Sequence, residues 1–131
     1  MITKIKHIDF WKQSSDDDWS AVLSLLNSKH YLQSLFFAHL TLEKTLKAHW
    51  VKDNEGNAPP KIHNLKWLVE QTKCKLSEEQ LIVLEKMNTF KLEGRYHDYQ
   101  RKIFIICTFE FTSELITQVN TLRLCLIENL Q

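Results

Sequence analysis

The stretch YLQSLFFAHLTLEKTLKAHW, residues 31–50, decides the fold class of this chain. Leu32, Leu35, Phe36, His39, Leu42, Leu46 and Trp50 recur every three or four residues. That spacing lines one face of an α-helix, whereas a strand would alternate every second residue. The pattern predicts a helix from Tyr31 to about Lys52. The following DNEGNAPP, residues 53–60, stops it with glycine, asparagine and a double proline and makes a loop of about ten residues.

Toward the N-terminus, Ser14 and Ser15 followed by Asp16, Asp17 and Asp18 read as an N-cap and an acidic first turn, the arrangement a helix dipole favours. A helix to about Lys29 follows, with Trp19, Val22, Leu23 and Leu26 at helical spacing. Ahead of it, residues 1–13 mix Ile2, Ile5, Ile8, Phe10 and Trp11 with Lys and His and read as an arm or short turn against the body. Toward the C-terminus, Asn64 caps a short helix carrying Leu65, Leu68 and Val69, and Ser77 with Gln80 forms a capping box for another through about Phe90. Gly94 then interrupts. From Tyr99 to Leu130 one long helix is expected, although its opening, 103–109, is β-branched and aromatic enough to imitate a strand.

Composition agrees with helices. The 131 residues contain only two Gly and two Pro, too few turn formers for many short strands. They suffice for one domain with a real hydrophobic core, and no internal repeat or low-complexity segment divides them. The expectation is one all-α domain over 1–131, an up-and-down bundle of four to five helices.

Charge and cysteine content exclude several function classes. Seventeen Lys plus Arg against sixteen Asp plus Glu give a formal +1, which argues against broad nonspecific binding to nucleic acid or an anionic membrane. A local basic segment remains, with Lys91, Arg95, Arg101 and Lys102 against Glu93 and Asp98. Three widely spaced cysteines, Cys74, Cys107 and Cys125, suggest neither a disulfide framework nor a zinc site. No H-x-x-x-H or C-x-x-C spacing appears, so no metal is expected, and the glycine count rules out a phosphate-cradling loop. With no apolar run of membrane-spanning or signal-peptide character, a soluble cytoplasmic protein is expected.

Three ordered motifs carry a resemblance. An aromatic and alanine-containing run leads into Glu43-Lys44-x-x-Lys47-Ala48; Pro59-Pro60-Lys61-Ile62-His63-Asn64-Leu65 follows; Glu93-Gly94-Arg95-Tyr96-His97-Asp98-Tyr99 precedes the last helical stretch. They are similar to the second-helix signature, the proline loop with His-x-Leu, and the Ala-Arg-Tyr-Pro-Asp segment of the HEPN family, and together they span about 15–130. The resemblance implies a bundle of four or five helices, often a homodimer and often encoded beside a small nucleotidyltransferase. Members of the family include RNA-cleaving toxins and substrate-binding partners of nucleotidyltransferases. No cofactor is implied.

Many nucleases of the family carry an Arg followed four to six positions later by a His. The imidazole moves the proton of a ribose 2′-hydroxyl while the guanidinium stabilises charge building on the phosphate. Here no His stands at that distance after any Arg; His97 follows Arg95 by two, at a position where the family often has proline. Two residues apart, side chains diverge by about 200° on a helix but share a face in extended chain. The candidate catalytic residues are therefore Arg95 and His97, with a distant His63 as a substitute base. His97 reads first as a capping or exposed residue, then as a ligand contact, and last as a catalytic one.

The candidate ligand-binding residues are Arg95, Tyr96, His97, Asp98, Glu43, Lys47 and His63. Arg95 offers forked donors to a phosphate, Tyr96 offers a stacking ring, and Asp98 reads also as the cap of the last helix. Glu43 and Lys47 stand four apart and read either as a surface ion pair or, with His39 one turn earlier, as a polar cluster within the apolar stripe. His63 and Asn64 read as caps or as ligand contacts.

The leading expectation is a noncatalytic binding module for a nucleotide, an RNA or a small nucleotidyltransferase partner, in a homodimer. The rival is a metal-independent ribonuclease toxin of a toxin–antitoxin pair. A third reading is a dimerisation domain whose aromatics Trp19, Phe36, Trp50, Phe104 and Phe109 serve only packing.

Overall fold

The computed structural model describes residues 3–90 and 97–130, with 97–100 as backbone. These residues form six α-helices and a short 3-10 turn, and no strand is present among them. The helices are α1 (Lys4–Asn27), α2 (Tyr31–Asp53), α3 (Leu65–Glu70), α4 (Glu78–Met87), α5 (His97–Ile106) and α6 (Phe109–Glu128), with the 3-10 turn at Asn88–Phe90.

The central element is α2. Both Leu35 and Leu46 and the polar Ser34, Thr41 and Thr45 are buried, because α1 covers one side while α3, α4 and α6 close the others. A helix buried on nearly every face must satisfy its polar side chains internally. Ser34 Oγ donates to the Val22 carbonyl at 2.8 Å, and Ser15 Oγ lies 2.6 Å from Thr45 Oγ1 and 3.0 Å from the Thr41 carbonyl. These small hydroxyl residues let α1 and α2 approach closely.

The two long helices run antiparallel. Lys4 Nζ donates to the carbonyls of Val51 at 2.6 Å and Asn54 at 2.7 Å. A cation from the start of α1 thus meets the electronegative end of α2. At the other end, His30 N donates to the Leu25 carbonyl at 2.8 Å and Lys29 N to that of Leu26 at 3.1 Å. This paired closure of a helix C-terminus requires left-handed backbone, and Lys29 supplies it with φ 66°.

The structure departs from expectation in two elements. Residues 4–13 are not an arm but the first turns of α1, which is capped by Thr3, whose hydroxyl accepts from Lys6 N at 3.3 Å. The run Ser14–Asp18 therefore lies inside the helix. Two of its three acidic groups serve tertiary pairs instead of a cap: Asp18 meets Lys44 at 2.7 Å, and Asp16 meets Arg123 at 3.4 Å. The second departure is a break in the expected last helix. Thr108 Oγ1 accepts from Phe111 N at 3.2 Å and starts α6, while Cys107 N and Thr108 N close tight turns onto Phe104 and Ile106. A threonine side chain competes for the amides a continuous helix would use, so two helices form where one was expected.

Other termini follow the sequence directly. Asn64 Oδ1 accepts from Trp67 N at 3.0 Å to cap α3. Ser77 and Gln80 form the expected capping box of α4, at 3.2 and 2.9 Å. The core gathers Leu42, Leu46, Leu65, Leu68, Leu84, Met87, Phe90, Leu122 and Leu126 in a single cluster. No described helix is long and apolar enough to cross a membrane.

Candidate functional site

The polar interruption of the α2 stripe becomes a buried charge cluster. Glu43 is 4% exposed and Lys47 is 6% exposed, so the pair at this spacing is interior and not the surface pair that sequence alone left open. Lys47 Nζ donates to Glu43 Oε2 at 3.0 Å and stands 5.5 Å from the centroid of the Trp11 ring, a cation–π distance. His63, at the end of the proline loop, brings Nδ1 within 2.9 Å of Glu43 Oε1. His39 Nδ1 lies 3.8 Å from the same oxygen.

Each contact has a local cause. His39, Glu43 and Lys47 are successive i,i+4 positions of α2 and fall on one helix face. Trp11 reaches that face because α1 extends back to Lys4. Pro59 and Pro60 narrow the backbone choices of the loop that returns from α2 to α3. Asn64 is committed to capping α3, which leaves the adjacent His63 for the carboxylate.

The hydrogen bond fixes chemistry as well as position. An ionised carboxylate only accepts, so His63 Nδ1 must carry the proton of that bond. In neutral His63 the lone pair is then on Nε2. The side chain of His63 is 43% exposed, whereas that of Glu43 is 6% exposed. Glu43 has both oxygens occupied, and its role is to orient His63 and hold Lys47. His63 is the member of the cluster that an incoming molecule reaches.

Of the residues singled out from sequence, Glu43, Lys47 and His63 come together, joined by His39. Arg95 and Tyr96 lie outside the described residues. His97 and Asp98 open α5 as backbone, and their side chains lie outside the description. Trp11 was missed because residues 1–13 read as an arm. Its signal was present, since Trp11, Ser15, Trp19 and Val22 continue one helical face. Among the described residues no group of three or more His, Cys, Asp or Glu side chains forms a metal-holding set.

The family model of the HEPN domain matches residues 8–130, nearly the whole chain. The chain belongs to the HEPN domain family. Comparison with curated proteins and with solved structures finds no match. In this HEPN chain, two of the three motifs that carried the resemblance, Glu43-x-x-x-Lys47 and the proline loop with His63, meet at a single carboxylate. The third motif, around Arg95, lies outside the described residues.

Proposed function

We propose that this HEPN chain is a noncatalytic module that binds a nucleotide or a short RNA at the edge of the Glu43 cluster, with a small nucleotidyltransferase as the alternative partner. The supporting observation is the 2.9 Å bond from His63 to a buried carboxylate whose other oxygen is occupied by Lys47. A half-exposed imidazole held in one orientation gives a phosphate a fixed donor when protonated, and exposed Lys61 two residues earlier adds charge to the same loop. Arg95, with Tyr96 as a stacking ring, is assigned to the same ligand. The wrong Arg–His spacing is why binding is preferred to cleavage.

Isothermal titration of the purified chain with ATP, AMP and a short single-stranded RNA tests this. His63→Ala is expected to weaken binding by about tenfold or more, the worth of a charge-assisted hydrogen bond. Lys66→Ala, on the surface of α3, is expected to leave binding unchanged. Binding equally strong in the His63 and Arg95 variants, or none at millimolar ligand, removes the proposal.

The same bond favours one rival. A histidine oriented by a carboxylate through Nδ1 is also the arrangement of a general base, with Nε2 as its working atom. A metal-independent ribonuclease using His63 and Arg95 would cleave RNA in EDTA, leave cyclic phosphate ends, and lose activity in both His63→Ala and Arg95→Ala. Loss in His97→Ala with His63→Ala intact would move the base to His97.

A further inference from the structure

A second cluster lies away from Glu43, at the junction of α2, the α3–α4 connection and α6. His49 of α2 is 1% exposed. Its Nε2 lies 2.7 Å from the carbonyl of Leu126 in α6. A carbonyl only accepts, so Nε2 carries the proton and Nδ1 carries the lone pair. That lone pair faces Cys74 Sγ at 3.2 Å, and the thiol donates to it. The cysteine is held in turn, since Cys74 N donates to Thr72 Oγ1 at 3.2 Å and Thr72 Oγ1 donates to the Val69 carbonyl at 2.7 Å. Nucleophile, base and the group orienting the base therefore stand in sequence.

The pair opens onto a cavity of about 350 Å³ whose other walls include Lys52, Asp53, Lys73, Lys75 and Asn129. Three lysines face one aspartate, and that aspartate is already engaged. Asp53 Oδ2 accepts from Lys73 N at 2.8 Å, and Oδ1 lies 3.7 Å from Lys52 Nζ. The cavity therefore has a surplus of positive charge beside a half-buried thiol, a setting that concentrates anionic reagents.

We propose that Cys74 is a site of reversible thiol–disulfide exchange for a small disulfide bearing carboxylates. The proton of Cys74 passes to His49 Nδ1 as Sγ attacks the nearer sulfur of the incoming disulfide. A new S–S bond forms to Cys74 while the old one breaks. The departing sulfur leaves as a thiolate and takes the proton from His49, so a thiol is released, Cys74 is oxidised and the departing sulfur is reduced. Neither an oxyanion hole nor a metal is needed for this step. Burial pushes the Cys74 thiol up and the His49 imidazole down, so the resting pair is neutral and the proton moves only during attack. The remaining cysteines are set differently: Cys107 is buried, with its thiol pushed up to about 11, and Cys125 Sγ accepts from Asn129 Nδ2 at 3.7 Å.

Two disulfides of different charge test the proposal on the full chain, the dianionic 5,5′-dithiobis(2-nitrobenzoate) and the neutral 4,4′-dithiodipyridine. Released thiol gives the rate, and peptide mass mapping gives the site. The first equivalent of either reagent is expected on Cys74, and oxidised glutathione is expected to leave a mixed disulfide there. Replacing both Lys73→Ala and Lys75→Ala, on exposed positions, is expected to slow the anionic reagent on the order of tenfold and leave the neutral one unchanged. His49→Gln is expected to slow both. A first equivalent on Cys107 or Cys125, or lysine variants that slow both reagents equally or neither, overturns the proposal, and these outcomes do not depend on the His49 variant folding.

Discussion

Glu43 holds a histidine and a lysine inside the bundle, and the energetics of that arrangement are asymmetric. A buried ion pair adds little net stability, because desolvation offsets its attraction, but removing one partner strands the other charge. Glu43→Ala is expected to lower unfolding free energy by about 3–5 kcal/mol, whereas Glu43→Leu combined with Lys47→Met recovers most of that loss. Urea unfolding of the three proteins measures both, and a single-variant loss below about 1 kcal/mol would contradict a dry cluster. At the same scale, His49 sets a pH dependence. Burial holds its pKa below the ordinary 6.5, so between those values the unfolded chain binds the extra proton and the folded chain does not. The contribution of His49 to stability is therefore complete above about pH 6.5 and is lost as pH drops below it. Protonation would also set a second N–H against the Cys74 thiol. Thermal melting from about pH 7.5 to about 5.5 should show the decline, with a shallower slope in His49→Gln. The i,i+4 spacing of Glu43 and Lys47 was legible in the sequence. Their burial was not, because it depends on which segment of α1 lies over them.

At the scale of elements, the closure of α1 offers a direct test of local strain. Lys29 occupies the left-handed position at φ 66°, which disfavours a side chain with a Cβ by about 1–2 kcal/mol. Lys29→Gly relieves that strain at the cost of a more flexible unfolded chain, and a net gain of roughly 0.5–1 kcal/mol is expected. Lys29→Ala keeps the Cβ and should give no gain, so comparing the two melting temperatures separates backbone relief from loss of the lysine side chain. Helix α2 and the caps of α3 and α4 were readable because periodicity and capping chemistry agreed there. Residues 4–13 and the Cys107–Thr108 break were not, and for the same physical reason. Ser, Thr and Asp serve equally as caps or as interior residues with tertiary partners. Asp16 and Asp18 found Arg123 and Lys44 and stayed within a helix, whereas Thr108 found the Phe111 amide and started one.

At the scale of the molecule, one exposed apolar run among the described residues lies at the α5–α6 junction. Phe104 is 60% exposed, Ile105 72%, Ile106 50% and Phe109 53%; from sequence, Phe104 and Phe109 read as packing aromatics only under the dimerisation reading. The break at Thr108 places these side chains on both sides of a helix junction, where Tyr31 meets Phe109 at 6.1 Å between ring centroids. A run of large apolar groups left in water at one end of a bundle is the usual mark of a contact surface, and a twofold homodimer buries the same patch from each copy. Light scattering after gel filtration is expected to show a dimer for the natural chain and a monomer for Ile105→Lys. Ile82→Lys, a comparably exposed position on α4, is expected to remain dimeric, which separates a specific interface from a general effect of added charge. The melting temperature should rise with protein concentration in the natural chain and in Ile82→Lys but not in Ile105→Lys, because only an assembling chain gains stability by mass action. A natural chain that is monomeric at every concentration would instead leave these side chains to a different partner.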